Sequence, residues 1–187
     1  MVDPKDITVA VNEVLAEMAE AVAVDGETSG GGELSDGSEF SGGGLFLVEV
    51  KAHGDEIEVF VDCDARGADG RPRGVRVEDC AAITKAVEAR FDRDVEDFSL
   101  TVSSAGIGQP LRVARQFRKL VGRQVEVAFG SGAKILATLV AFDEGNITLI
   151  YSEKQKVEGK KRPEIVEVTK TFSLDDVKAV REHIDFK

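Results

Sequence analysis

From Ile7 onward, apolar residues recur at the spacing of one helical face: Ile7, Val11, Val14, Leu15, Met18 and Val22. Asp3 stands where an N-cap belongs and Pro4 suits the first helical position, so the pattern predicts a helix over 3–23. The periodicity stops at DGETSGGGELSDGSEFSGGG, residues 25–44. That stretch is acidic and rich in glycine and serine, and reads as a flexible insertion, with a functional lid as the alternative. Period two then takes over. LFLVEVKAHG (45–54) and EIEVFVDCD (56–64) are expected strands, the second alternating through Ile57, Val59 and Val61, and their closeness predicts a hairpin. Helical spacing returns with Val77, Cys80, Ile83, Val87 and Phe91, with Glu78 and Asp79 placed to favour the helix N-terminus. EDFSLTVSS alternates once more through Phe98, Leu100 and Val102. This half reads as an α-β-β-α-β sandwich.

The second half carries a different pattern. RQVEVAF, AKILATLVAF and NITLIYS are three strands separated by the turns GSG (130–132) and DEGN (143–146). A charged stretch, EKQKVEGKKRPE, precedes a fourth strand, IVEVTKTF. SLDDV is a single helical turn with Ser173 as its cap, and VREHIDFK a closing strand. Five short strands with tight turns predict a small β-barrel of SH3 or Sm type. The fold class expected is therefore α+β with two domains: 1–108 with the insertion at 25–44, a basic hinge at 109–122, and a barrel at 123–187.

Charge sharpens that division. The 187 residues carry a net charge of -11. Residues 1–110 hold 9 basic and 24 acidic side chains, whereas residues 111–187 hold 15 basic and 11 acidic ones. Only the second half can meet phosphate favourably. No run approaches the roughly 18 apolar residues of a membrane span, and MVDPKDITVA lacks the basic-then-apolar order of a secretion signal. With Cys63 and Cys80 as the only cysteines, the chain is expected to be cytoplasmic with reduced, structural thiols.

A search for catalytic chemistry finds little. His53 and His183 are the only histidines and lie in different halves, which supplies no zinc motif. In DCDARGADGRPR (62–73), Asp62, Asp64 and Gly67 fit a calcium loop, but Arg66 and Arg73 occupy ligand positions. DRDVED (92–97) gathers four carboxylates at a helix-to-strand corner; a solvated turn and a metal-dependent enzyme site are the two readings. GIGQP (106–110) fits neither glycine fingerprint for phosphate, since Leu111 stands where a third glycine belongs and no Gly-Lys-Ser/Thr follows. Gly106 and Gly108 instead predict a sharp turn. No catalytic residue, cofactor site, metal site or small-molecule substrate is expected.

The basic clusters are the stronger signal. Arg112, Arg115, Arg118, Lys119 and Arg123 fall within twelve residues with no acid among them. A helix over 112–120 would set Arg112, Arg115 and Lys119 on one face and anchor the other with Phe117, Leu120 and Val121. A second cluster comprises Lys154, Lys156, Lys160, Lys161 and Arg162. Both are candidates for RNA phosphate contact, and both also read as solvated charged faces.

GVRVEDC (74–80), ARFDRDVEDFSLTVSSAGIGQPL (89–111) and QFRKLVGRQVEV (116–127) together resemble the bacterial ribosome maturation factor RimP family. That family carries a V-S-S-P-G-x-D-R-P-L signature, which Val102, Ser103, Ser104, Gly106, Pro110 and Leu111 match. Ala105, Gly108 and Gln109 depart from its Pro, Asp and Arg. The resemblance covers nearly the whole chain outside 25–44. It implies an N-terminal α/β domain, a C-terminal Sm/SH3-like barrel, and a non-catalytic role in which the protein binds the immature small (30S) ribosomal subunit, rRNA and ribosomal proteins together, and then leaves. ATLVAFDEGNITL also resembles the first Sm motif, with Leu139, Asp143 and Asn146 in register and Ala137 where glycine is usual. No second Sm motif accompanies it, so the expectation is a monomer. An Sm-like oligomer acting as a chaperone of small RNAs is the alternative.

Overall fold

The computed structural model describes residues 3–24, 32–33, 39–40, 44–66, 73–91, 97–106, 108–155 and 164–184. It is a mixed α+β structure that divides into two compact units, Met1–Gly106 and Ile107–Lys187.

In the first unit, α1 (Pro4–Val24) starts as the sequence predicts: the Asp3 carboxylate accepts the Lys5 N–H at 2.8 Å. Ile7, Val11, Val14, Leu15 and Met18 are all buried. Of the insertion, only β1 (Gly32–Glu33), β2 (Glu39–Phe40) and Gly44 are described, and the two strands pair antiparallel. β3 (Leu45–His53) and β4 (Glu56–Cys63) form the expected antiparallel hairpin, and β5 (Ser99–Ser104) lies parallel to β4. A parallel neighbour needs a crossover, which α2 (Val77–Glu88) supplies. The core gathers α1, the inward positions Ile57, Val59 and Val61 of β4, and Ala82, Ile83, Ala86 and Val87 of α2. Arg90, just past α2, ties the two helices: its guanidinium reaches Glu17 at 2.7 Å and Glu13 at 3.8 Å.

The face of α2 differs from the one expected. Val77 is 82 % exposed and Asp79 is fully buried. Val77 is the first helical residue, where its side chain has no preceding turn to cover. Asp79 turns inward because its carboxylate accepts the Arg76 N–H at 3.0 Å, an otherwise orphaned donor at the helix start, and meets the Arg73 guanidinium at 3.7 Å. Arg73, which opposed a calcium loop in the sequence, thus has a carboxylate of its own. Residues 67–72 of that loop lie outside the described residues.

The second unit is a five-stranded antiparallel sheet in the order β10–β6–β7–β8–β9. Its strands are β6 (Gln124–Phe129), β7 (Lys134–Asp143), β8 (Asn146–Gln155), β9 (Glu164–Ser173) and β10 (Val177–Glu182). The expected single turn lies between the last two at Leu174–Asp176, where the Ser173 hydroxyl accepts the Asp175 N–H at 3.3 Å. β10 starts earlier than the sequence suggests, because pairing with β6 begins as soon as that turn ends, at Val177↔Phe129. The sheet curls strongly. A flat sheet would hold β6 and β9 about 14 Å apart across three strand spacings. Yet the rings of Phe129 and Phe172, one from each, have centroids 5.2 Å apart.

The curl stops short of the closed barrel expected. Among the described residues β9 and β10 share no ladder. The outer edge of β10 is instead occupied by the chain entering the unit: Pro110 bridges Arg181 and the Leu111 N–H donates to the Val180 carbonyl at 2.8 Å.

β7 and β8 meet in a tight turn in which Glu144 (φ 44) and Gly145 (φ 84) both take the left-handed region, as a type I′ hairpin requires. Glycine takes it freely; glutamate does not. Glu144→Asn, which gives the favoured Asn-Gly pair, is expected to stabilise the unit by about 0.5–1 kcal/mol. A thermal melt that does not rise would count against strain at this turn.

Candidate nucleic-acid interface

The basic segment is built by what precedes it. Gly106 (φ 72) and Gly108 (φ 81) turn the chain, as their positions suggested. Pro110 and Leu111 then lie extended along β10, and Val113 is still extended at φ -117, ψ 148. The helix α3 can therefore begin only at Ala114, and it runs to Lys119. Arg112 precedes it rather than sharing its face. Gln116, which no pattern in the sequence singles out, is buried and fastens this entry: its side-chain oxygen accepts the N–H groups of Arg112 at 2.8 Å and Val113 at 3.4 Å. Phe117 and Leu120 anchor the helix in the core, whereas Val121 is 41 % exposed, since it lies past the end of α3.

On the helix, Arg115, Arg118 and Lys119 stand at i, i+3 and i+4, which places them on one face. Arg112, Arg115 and Arg118 are exposed and Lys119 is half-buried. No acidic residue occurs between Phe98 and Val125 in the chain. Arg118 and Lys119 in the last turn also complement the helix dipole. Arg123 differs from the others: its guanidinium meets Glu182 at 2.6 Å, so part of its charge is already answered.

Arg118 lies over the Phe142 ring, 5.9 Å from its centroid, and Phe142 stacks on Phe117 with centroids 4.9 Å apart and planes 15° off parallel. Sequence spacing hides this link. A β-bulge between Leu139 and Ala141 changes the parity of β7, so Leu139 and Phe142 both pack on the core although strict alternation would send them to opposite faces.

Of the second cluster, Lys154 alone is among the described residues. Lys154 is exposed near the far end of β8, seven residues along the strand from Ile147, which pairs with Phe142; that is about 23 Å at strand rise. Lys156, Lys160, Lys161 and Arg162 lie outside the described residues. Nearby cations are paired on the sheet surface, Lys134 with Glu126 and Lys170 with Glu153, both at 3.1 Å.

His53 and His183 are exposed in separate units, Asp97 is exposed, and 92–96 lie outside the described residues. Cys63 and Cys80 are not disulfide-bonded and pack in the first core. Burial, and secondly the adjacent Asp79 carboxylate, push the Cys80 thiol up from its ordinary pKa. Among the described residues no group of three His, Cys, Asp or Glu side chains is placed to hold a metal ion, and no helix is long and apolar enough to cross a membrane.

Comparison with known proteins agrees with the resemblance in the sequence. The family model for the RimP N-terminal domain matches residues 38–108. Ribosome maturation factor RimP of Porphyromonas gingivalis is 35% identical over 145 residues, covering 75% of this chain and 89% of its own. The protein of the same name from Christiangramia forsetii is 33% identical over 112 residues, 59% of this chain and 67% of its own. That from Flavobacterium psychrophilum is 29% identical over 123 residues, 65% and 75% of the two chains. The likeness extends through the basic segment and beyond the N-terminal domain, and the chain belongs to the RimP family.

Proposed function

We propose that this protein is a ribosome maturation factor that binds the immature small (30S) ribosomal subunit in the cytoplasm, without catalysis, and promotes its assembly. The observation that carries the reading is the identity to ribosome maturation factor RimP over 145 residues. In this reading the first unit and the curled sheet are two domains, the second of Sm/SH3-like type, joined by the basic segment 109–122. Arg112, Arg115, Arg118 and Lys119 contact rRNA, with Arg123 at the margin and Lys154, Lys160, Lys161 and Arg162 as a second contact. The acidic first half would repel bulk RNA, which confines phosphate contact to the second.

The test is co-sedimentation with separated subunits and intact ribosomes at two salt concentrations. Salt-sensitive pelleting with free small subunits alone is expected. Combined Arg112→Glu, Arg115→Glu and Arg118→Glu changes should weaken it at least tenfold and flatten its salt slope by roughly 0.7–0.9 per lost phosphate contact. No pelleting with any particle, or an unchanged slope, overturns the reading. Light scattering should give a monomer; a stable hexamer or heptamer would favour a chaperone of small RNAs.

A further inference from the structure

We infer that Arg118, laid on Phe142, is a stacking platform for an unpaired RNA base, and not one more phosphate contact. The inference rests on the proposed RNA-binding role of this segment and adds the form in which RNA is met.

The aromatic series rises from the core to the surface. Phe117 is 3 % exposed, Phe142 is half-buried and nearly parallel to it, and Arg118 is exposed beside Phe142. Phe117 fixes Phe142, and Phe142 in turn restrains a guanidinium that would otherwise be mobile. A guanidinium is planar and weakly hydrated, so a face not given to the ring can take a nucleobase. Among the described residues Arg118 makes no ion pair, whereas Arg123 is held by Glu182 at 2.6 Å. Arg115, one turn before Arg118, and Lys119, the next residue along, are placed for the phosphates that flank a stacked base.

The turn beside the ring argues for a base over a phosphate at this point. Asp143 and Glu144 directly follow Phe142 and are exposed, so a phosphate centred there would be repelled by two nearby carboxylates, while a neutral base would not be. The base must be unpaired, because within a duplex its faces are already stacked.

The test uses fluorescence anisotropy with a mixed-sequence single-stranded RNA of about 12 nucleotides and a duplex RNA of about 12 base pairs. Arg118→Lys keeps the charge and removes the plane. It is expected to weaken single-strand binding about tenfold, with duplex binding changed less than about twofold and the salt slope unaltered. Phe142→Leu should produce the same selective loss, with a thermal melt to establish folding; if it does not fold, Arg118→Lys decides alone. Parent-like binding of the single strand by Arg118→Lys, equal losses on both probes, or no binding of either probe by the parent chain overturns the inference. Pelleting of the parent chain with small subunits reports separately on the proposed function.

Discussion

Asp79→Ala should cost the first unit about 3–5 kcal/mol, the range seen when one partner of a buried ion pair is removed. The carboxylate is fully buried and holds two groups together, the Arg76 amide at 3.0 Å and the Arg73 guanidinium at 3.7 Å. Alanine weakens both: the first donor of α2 loses its acceptor, and a guanidinium that is only 18 % exposed loses a carboxylate beside it. Asn keeps an acceptor of the same shape without the charge and should cost roughly 1–3 kcal/mol. Amide hydrogen exchange across α2 reads the effect directly. Each ~1.4 kcal/mol is a factor of ten, so the alanine variant should exchange more than about a hundredfold faster. Cys80 offers a second readout. Its thiol is raised by burial first and by Asp79 second, so losing the carboxylate lowers it, and alkylation at a fixed mildly alkaline pH should quicken. Exchange within a few-fold of the parent would show that the buried pair contributes little.

Leu139→Ala should be the most damaging simple truncation in the second unit, at about 2–5 kcal/mol. Leu139 is fully buried, and the core around it is small: Phe117, Leu120, Val125, Val127, Ala137, Ile147, Leu149 and Val180 are its other buried members. The residue also anchors the segment leaving α3, since its N–H donates to the Arg123 carbonyl at 2.9 Å and its carbonyl accepts the Gly122 N–H at 2.7 Å. A cavity here therefore loosens the support of the basic segment as well as the sheet. Tyr151 is the sole tyrosine, there is no tryptophan, and its ring lies 6.4 Å from Phe172 in the same unit, so tyrosine fluorescence follows this unit through urea unfolding. The midpoint should fall by more than about 1 M, or the unit should be unfolded without urea. Leu139→Met, which conserves volume, should cost less than about 1.5 kcal/mol. An alanine variant with the parent's midpoint would mean the core closes over the gap.

Local periodicity carried most of the elements. The stripe on α1 and the alternation of β4 are each set by neighbours a few residues away, and the structure follows them. The errors lie where a distant partner decides. Asp79 reads as a surface acid favouring a helix dipole, and only the approach of Arg73 and the orphaned Arg76 amide turns it inward. Arg112 reads as helical because nothing nearby opposes it, yet Pro110 and Leu111 are held extended by β10, some seventy residues later in the chain. The five strands were legible from their alternation, but the closed barrel expected from them is not what forms: which edges pair is fixed by long-range register, and the edge of β10 went to the entering chain. For the candidate interface, the charges were visible and the platform was not. Phe142 is brought under Arg118 by a bulge that the binary pattern does not encode.

The pairing of β6 with β10 has a kinetic side. The hairpins β6–β7, β7–β8 and β8–β9 join strands adjacent in sequence, whereas Val125 must wait for Glu182. Closing so long a loop is entropically costly before its contacts form, which makes this pairing a late event in folding. The last strand also supplies the Val180 carbonyl to which the chain at Leu111 is bound. During synthesis the basic segment emerges before the strand that fastens its N-terminal approach. Until then the arginines belong to a tethered, unseated peptide, and the surface proposed to read RNA takes shape only with the final turn of the sheet.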